Sequence, residues 1–230
     1  MKKIFLILII FVMVTAGLFA QNIFFAAKKG MTLTYVNNDA NGNPNSYDVL
    51  TIKEVKGSGQ NMTITYAMKS LDKDKKPLKE GPTEKTFQVV IKDGIMYRDI
   101  NEMVPSNINQ GELKVEISGS PMELPGNLQP GQKLKDSEVT INVDMGIMKI
   151  DTVVKITNGE CLAIEDVTVP AGTFKCHKIS QTASATAMKL ETVTKTFSWY
   201  ASGIGSVKAE IYDSKNKLMG SKVLIEVKGR

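Results

Sequence analysis

Hydrophobic and polar residues alternate along most of the chain, a pattern typical of β-strands with one face in a core and the other in water. The alternation is clearest in five segments: Met62–Met68, Phe87–Ile91, Val139–Val143, Met148–Ile156 and Val193–Trp199. Helix signals are confined to the first twenty residues and to Asp99–Val104, a short segment that Pro105 is expected to end. The sequence therefore predicts an all-β fold with little helix.

Turn-forming residues fall between the predicted strands. Tight reversals are favoured at Asn41-Gly42, Gly57-Ser58-Gly59, Asp93-Gly94, Pro170-Ala171-Gly172, Ser202-Gly203 and Lys215-Asn216. Strands joined by such short turns form antiparallel meanders, and a sheet of roughly ten or more strands must twist, curl or close on itself. We therefore expect a large curled antiparallel sheet, or a partly closed β-barrel of the half-barrel kind, with a concave interior.

Residues 98–137 are the least regular part of the chain, because they contain Pro105, Pro121, Pro125 and Pro130 together with four glycines. We interpret this stretch as a long crossover between two halves of the sheet, interrupted by a strand near Leu113–Ile117. A boundary between two domains is the alternative. One domain is preferred because neither side carries enough alternating strands to close a core of its own.

Residues 1–20 have the features of a secretory signal peptide. Lys2 and Lys3 precede an apolar run, Ile4–Val14, that is too short to span a bilayer comfortably, and the segment ends at Ala20. We expect cleavage to leave a single β domain, residues 21–230, that is periplasmic or secreted and does not span the membrane. No cysteine lies near the predicted cleavage site, so the lipid-modified cysteine of a lipoprotein has no candidate.

Ten methionines remain after the predicted cleavage, and several are in register with apolar strand faces. Methionine suits an irregular core, and it equally suits a cavity that accepts varied apolar ligands. Core filling is one interpretation. The other is a ligand cavity in the curled sheet, for which the candidate binding residues are Met62, Tyr66, Met68, Phe87, Met148 and Trp199, with Ile64 and Val89 beside them.

A search for catalytic or metal-binding residues finds little. His177 is the only histidine and follows Cys176 in a predicted strand, where neighbouring side chains point to opposite faces and cannot easily form a nucleophile–base pair. A zinc site would need further ligands at close spacing. Phosphate-binding and nucleophile-elbow motifs are missing from the sequence. We predict neither an enzyme nor a metal or cofactor site.

The two cysteines, Cys161 and Cys176, could form a disulfide in an oxidising compartment. If Val169 and Thr173 flank the turn at Pro170–Gly172, Cys176 lies opposite Asp166 and Cys161 opposite Gln181. The sulfur atoms would then be too far apart to bond unless a bulge or another register intervenes. The sequence therefore leaves both alternatives, a disulfide and two free thiols.

Two motifs in the C-terminal half resemble those of a known family. They are the V-P-A-G-T-F hairpin at Val169–Phe174 and the W-Y-A-x-G-I-G turn at Trp199–Gly205, and the segment Leu124–Asp136 is similar as well. Together they resemble a family of exported β proteins from Gram-negative bacteria, sometimes labelled TapB-like, over most of residues 30–227. The resemblance implies a curled antiparallel sheet like that of periplasmic lipoprotein carriers, but it implies no activity and no catalytic residues.

The net charge of +5 falls to +3 when Lys2 and Lys3 are removed, a mild balance that does not support nucleic-acid binding. Two hypotheses for the function are preferred over an enzymatic one. The first is a periplasmic carrier or chaperone that holds a lipid or an acylated protein in the curled sheet. The second is a structural or interaction component of the cell envelope that binds a partner protein through a sheet edge or face.

Overall fold

The computed structural model describes residues 22–78, 84–104, 114–146 and 148–230, so the predicted signal peptide lies outside the described residues. Within those ranges there are thirteen strands and one short 3-10 helix, η1 (Ile100–Met103). The strands are β1 (Thr32–Asp39), β2 (Pro44–Ser58), β3 (Asn61–Asp72), β4 (Lys85–Lys92), β5 (Ile95–Tyr97), β6 (Lys114–Gly119), β7 (Glu123–Pro125), β8 (Ser137–Asp144), β9 (Lys149–Val169), β10 (Gly172–Ala187), β11 (Leu190–Ala201), β12 (Gly205–Asp213) and β13 (Leu218–Lys228).

All thirteen described strands belong to one antiparallel sheet, in the order β6-β8-β9-β10-β11-β12-β13-β1-β2-β3-β4-β5-β7. The edge strands β6 and β7 follow each other in sequence and are joined by residues 120–122 alone. A link of that length spans at most about 14 Å, so the sheet must curl until its two edges nearly meet. The predicted all-β fold with a curled antiparallel sheet is confirmed.

Alternation matches burial in three of the five segments, those on β3, β4 and β8, whereas Met148 and Val193 at the start of the other two are exposed. On β3, Met62, Ile64 and Tyr66 are buried, and on β4 every second residue from Phe87 to Ile91 is buried. These side chains belong to one large core on the inner side of the sheet. On that side the apolar residues of neighbouring strands pack against one another.

The irregular stretch does cross between the two halves of the sheet. Its strand β6 pairs with β8 at one edge, while β7 pairs with β5 at the other edge. The predicted short helix is η1, and the Asp99 side chain caps it by accepting a hydrogen bond from the Asn101 backbone N–H at 2.9 Å. Pro105, which was expected to end it, lies outside the described residues.

Residues 22–29, the N-terminal segment, run through the inside of the curled sheet. The Phe24 side chain is only 1% exposed, and its ring packs edge-on against His177 with the centroids 4.9 Å apart. Backbone hydrogen bonds fix the segment, since Gly203 N–H donates to Ile23 O at 2.7 Å and Asn22 N–H donates to Gly126 O at 3.0 Å. The chain therefore fills part of its own concave side, which the sequence did not predict.

The β9–β10 hairpin has a different register from the predicted one. Val169 pairs with Gly172 rather than with Thr173, so the loop contains two residues instead of three. A further irregularity between Lys178 and Ile179 shifts the pairing again. As a result Cys176 lies opposite Glu165, and Cys161 lies opposite Ile179. The predicted partners Asp166 and Gln181 were wrong because of the shorter turn and this irregularity.

Candidate functional site

A cavity of about 290 Å³ lies on the inner side of the sheet, beside the N-terminal segment. Much of its wall is apolar and comes from the N-terminal segment and from strands that are distant in sequence. The larger apolar side chains of the wall are Phe24, Phe25, Leu50, Met68, Met96 and Ile204. Small residues, Ala26, Ser198, Gly205, Ser206 and Ala209, leave the space between them.

Strand alternation and one close backbone approach shape this wall. Tyr66 and Met68 are two residues apart on β3, and Ser198 and Tyr200 are two apart on β11, so each pair faces the same side. At Gly205 the backbone has φ +99°, and a Cβ atom would lie 3.2 Å from the Phe24 carbonyl oxygen. Glycine there lets the N-terminal segment lie directly against β12.

One end of the cavity carries an ion pair. Arg98 follows β5 directly and forms a salt bridge with Glu102 of η1, four residues on. The Tyr66 hydroxyl donates a hydrogen bond to the other Glu102 carboxylate oxygen, Oε1. The Glu102 charge raises the pKa of Arg98, and burial followed by the Glu102 charge raises the pKa of Tyr66, so at neutral pH the guanidinium is charged and the phenol is neutral.

Two more tyrosine hydroxyls belong to this polar end. Tyr35 and Tyr200 line the cavity, and both interact electrostatically with Arg98. Burial raises the pKa of Tyr35, so this side chain is a neutral hydrogen-bond donor. Among the described residues neither hydroxyl has a hydrogen-bond partner, which leaves both available to a molecule in the cavity.

A second polar group lies where β1, β2, β3 and β13 approach the cavity. The Asp48 carboxylate accepts hydrogen bonds from Lys222 Nζ at 2.7 Å, Asn37 Nδ2 at 3.0 Å and Ser70 Oγ at 2.8 Å. Burial alone would raise the pKa of Asp48, but the Lys222 charge and these hydrogen bonds lower it below its usual value. Lys222 also lies over the Tyr35 ring, 4.8 Å from its centroid, and lines the cavity.

The structure brings only two of the six predicted binding residues to the cavity, Tyr66 and Met68. Met62 and Phe87 are buried in the adjoining core. Met148 is 44% exposed and comes just before the first residue of β9, in the turn after β8. A ligand-binding role for Tyr66 and Met68 stays a prediction.

Trp199 does not line the cavity, although its neighbours Ser198 and Tyr200 do. Consecutive strand residues point to opposite sides, so the indole lies on the other side of β11. There its N–H donates to Glu165 Oε1 at 2.6 Å, and the ammonium groups of Lys178 and Lys208 lie 5.0 and 4.9 Å from its ring centroid. Trp199 also belongs to the main hydrophobic cluster, so its burial needs no ligand.

The nucleophilic and titratable groups considered from the sequence lie outside the cavity lining. Burial lowers the pKa of His177, whose Nδ1 has no hydrogen-bond partner among the described residues. The cysteines are both buried and free, and burial raises the pKa of Cys176 to about 12. In the described part of the chain no group of three or more His, Cys, Asp or Glu side chains could hold a metal ion, and no helix is long and apolar enough to cross a membrane.

Arg98, Glu102 and Tyr35 were not predicted from the sequence, and Tyr200 was predicted only as part of the W-Y-A-x-G-I-G turn, where a structural role is preferred over binding. One signal could have found the ion pair: the chain contains only two arginines, Arg98 and Arg230, among 29 basic residues. Where lysine is the usual cation, an arginine four residues before a glutamate in a predicted helical turn indicates a directed contact. Tyr35 carries no local signal, because only the curl of the sheet brings β1 and β11 together.

Comparisons with known proteins identify the family of this chain. The family model described as DUF3108-like matches residues 28–224. The chain belongs to the DUF3108-like family. The motif resemblance noted above is confirmed at the level of this broader family, while the narrower TapB-like assignment stays a prediction. No curated protein matches the chain.

Two solved structures share the fold of this DUF3108-like protein. One comes from Bacteroides fragilis and is described as an exported protein with a YmcC-like fold; it is 20% identical, with a TM-score of 0.73 over 90% of this chain and 100% of that one. The other comes from Parabacteroides distasonis and is described as a lipoprotein; it is 21% identical, with a TM-score of 0.73 over 90% of this chain and 99% of that one. At these identities the likeness establishes the fold.

Proposed function

We propose that this DUF3108-like protein is an exported carrier of the cell envelope that binds an apolar or acylated ligand inside its curled sheet. The observation that carries the proposal is the cavity of about 290 Å³, walled by Phe24, Phe25, Leu50 and Met68 and furnished at one end with polar groups. An apolar pocket with a few convergent polar groups is the usual form of a small-molecule site.

The size of the cavity limits the ligand. Ligand pockets generally measure roughly 300–1,000 Å³, so a cavity of about 290 Å³ suits one short acyl chain rather than a two-chain lipid. Met68 and Met96 in the wall can adapt to chains of different shape because their side chains are unbranched and polarisable. An acyl group attached to another protein could enter in the same way.

Export is supported by two observations. Residues 1–20 have the charged, apolar and small-residue regions of a signal peptide. The two proteins of similar fold are described as exported and as a lipoprotein. We therefore assign the protein to the periplasm or the cell exterior, in agreement with the TapB-like motifs.

We also propose that the protein binds rather than catalyses. Burial lowers the pKa of His177 and raises the pKa of both thiols, which opposes the roles of acid and of nucleophile at neutral pH. The charged groups that line the cavity, Arg98, Glu102 and Lys222, have partners in the fold.

Binding of the neutral apolar dye N-phenyl-1-naphthylamine tests the carrier proposal. Ala209→Phe places a large ring in the cavity wall, whereas Ile211→Phe adds the same ring two residues along β12 and outside the lining. We expect the dye to fluoresce with the unaltered protein and with Ile211→Phe, and its affinity to fall at least about tenfold with Ala209→Phe. Equal affinities for the two variants, both folded, would overturn the proposal.

The alternative, an interaction component of the envelope, is favoured by one feature away from the cavity. At the tip of the β10–β11 hairpin Met188 is 66% exposed and Leu190 is 77% exposed. Met188 also has φ +50°, a conformation for which turns normally use glycine or asparagine. The strand from Ser198 to Leu190 places this tip roughly 26 Å from the cavity.

A photo-crosslinking amino acid at position 188, introduced in cells, tests this alternative. A partner protein that crosslinks there, and is lost with Leu190→Lys, would support an interaction role. Lack of any crosslinked product, with a normal amount of folded protein in the envelope, would contradict it.

A further inference from the structure

We infer that the ligand carries an anionic head group, a carboxylate or a phosphate, and that Arg98 binds it at the polar end of the cavity. This inference rests on the proposed function, because it names the ligand class of the same cavity. The inference does not depend on the apolar wall, because it rests on an arginine inside the sheet, two tyrosines that line the same cavity and the charged groups of the lining.

Arg98 retains unused hydrogen-bond donors. Each oxygen of Glu102 has its own partner, since Oε1 accepts from the Tyr66 hydroxyl and Oε2 from Arg98 Nη2. A guanidinium has five N–H groups, and within the described residues Glu102 is the one hydrogen-bond acceptor of the Arg98 side chain. The Arg98 side chain lines the cavity and is 38% exposed, so it is accessible to a molecule there.

Two tyrosines line the same cavity as Arg98. Tyr35 and Tyr200 interact electrostatically with Arg98, and neither hydroxyl has a hydrogen-bond partner among the described residues. Neither hydroxyl oxygen is among the buried atoms without a partner, so each can be reached from the cavity. A carboxylate or phosphate accepts bonds from a guanidinium and from hydroxyls together, which would satisfy these donors at once.

The lining also provides two cationic groups, Arg98 and Lys222. Each is paired with a carboxylate, Arg98 with Glu102 and Lys222 with Asp48, so the wall offers charged hydrogen-bond donors without a net positive charge. Charge-assisted hydrogen bonds in an apolar surrounding are about twice as strong as neutral ones, so the polar end should distinguish an anion from an alcohol on the same chain.

Competition against the bound dye tests this with three probes that share a ten-carbon chain: decanoate, decyl phosphate and decanol. We expect at least one of the two anions to bind about tenfold or more tightly than decanol, which corresponds to about 1.4 kcal/mol. Whether decanoate or decyl phosphate binds better distinguishes the two head groups.

Two variants of the ion pair separate recognition from structural support. Arg98→Gln with Glu102→Gln preserves net charge and hydrogen-bonding groups, and avoids leaving Glu102 buried without a cation. We expect it to reduce the preference for the anion over decanol to less than about threefold. Glu102→Gln alone should tighten anion binding, because it releases Arg98; a merely structural pair would give weaker binding instead.

Lys208→Gln serves as the charge control, since Lys208 lies against Trp199 and outside the cavity lining. It should leave all three affinities unchanged. Equal affinities of the anions and decanol for the unaltered protein would overturn the anion site while leaving the apolar cavity intact. If neither the dye nor any probe binds to folded protein, the proposed function fails as well.

Discussion

Arg98 and His177 show two ways in which the fold accommodates a basic side chain inside the sheet. Arg98 keeps its charge because Glu102 lies beside it. His177 has no carboxylate partner in the part of the chain that the structure describes, and its ring packs against Phe24 while the backbone of Leu128 accepts a hydrogen bond from it. Burial therefore favours the neutral imidazole, and protonation of His177 must oppose folding.

The pH dependence of stability should report this histidine. Its pKa in the folded protein is lowered, chiefly by burial and additionally by Lys175. As pH falls below the unfolded pKa of about 6.5, His177 is protonated in the unfolded chain but stays neutral in the folded chain. We expect the free energy of unfolding in urea to decrease by up to about 1 kcal/mol between pH 7.5 and 5.5.

His177→Gln is the control, and it should flatten the pH dependence of unfolding over that interval. The chain has a single histidine, so no other imidazole contributes. A dependence of the same size in the variant would show that His177 does not titrate as the structure implies.

For a single strand, the sequence predicts the buried face correctly when only one of its two faces carries apolar residues. On β3 and β4 it does, because the apolar residues occupy one face and the polar residues the other. On β11 both faces carry large side chains, Phe197 and Trp199 on one and Tyr200 on the other. The Lys178 side chain covers the first face, and the residues of β11 that line the cavity, Ser198 and Tyr200, alternate with Trp199.

The N-terminal segment and the ion pair could not be derived from strand patterns. The N-terminal segment has no alternation, and its place inside the sheet depends on hydrogen bonds to Gly126 and Gly203, far along the chain. Arg98 lies in the stretch that we had interpreted as a crossover. This part of the cavity wall is thus set by contacts between distant residues, whereas the curled sheet itself follows from strand number and turn chemistry.

The register of the β9–β10 hairpin predicts the state of the two thiols. Cys161 pairs with Ile179, three residues from Cys176, which separates the two cysteines by roughly 10 Å along the strand and exceeds the reach of a disulfide. Ellman's reagent should therefore find two thiols per chain in guanidinium without reductant, and should react with neither in the folded protein because both are buried.

The same assay after reduction with dithiothreitol gives the reference value of two thiols in denaturant. If the unreduced, denatured protein shows no thiol while the reduced protein shows two, a disulfide forms and the hairpin register differs from this structure.

For the whole molecule, the main consequence of the fold is that the curled sheet needs an internal filling. Residues 120–122 hold its two edges near each other. Phe24 fills part of the space inside the sheet, and the cavity is the remaining part. The N-terminal segment therefore contributes both to the stability of the sheet and to the shape of the site.

Phe24→Ala tests this double role. Loss of a buried phenylalanine side chain should reduce the free energy of unfolding by about 3–5 kcal/mol, and Phe24→Leu should cost clearly less. Leu190→Ala, a truncation at an exposed position, should stay within about 0.5 kcal/mol of the unaltered protein. If urea unfolding of Phe24→Ala resembles that of Leu190→Ala, the segment does not lie inside the sheet.

The central claim is that the cavity holds an acyl ligand in the cell envelope, and native mass spectrometry of the mature protein, purified gently from its own envelope, tests it most directly. We expect a species heavier than the chain by one small acyl-bearing molecule, released on denaturation and strongly reduced for Ala209→Phe but not for Ile211→Phe. The bare chain mass for all three proteins, each folded and obtained without detergent, would contradict the account.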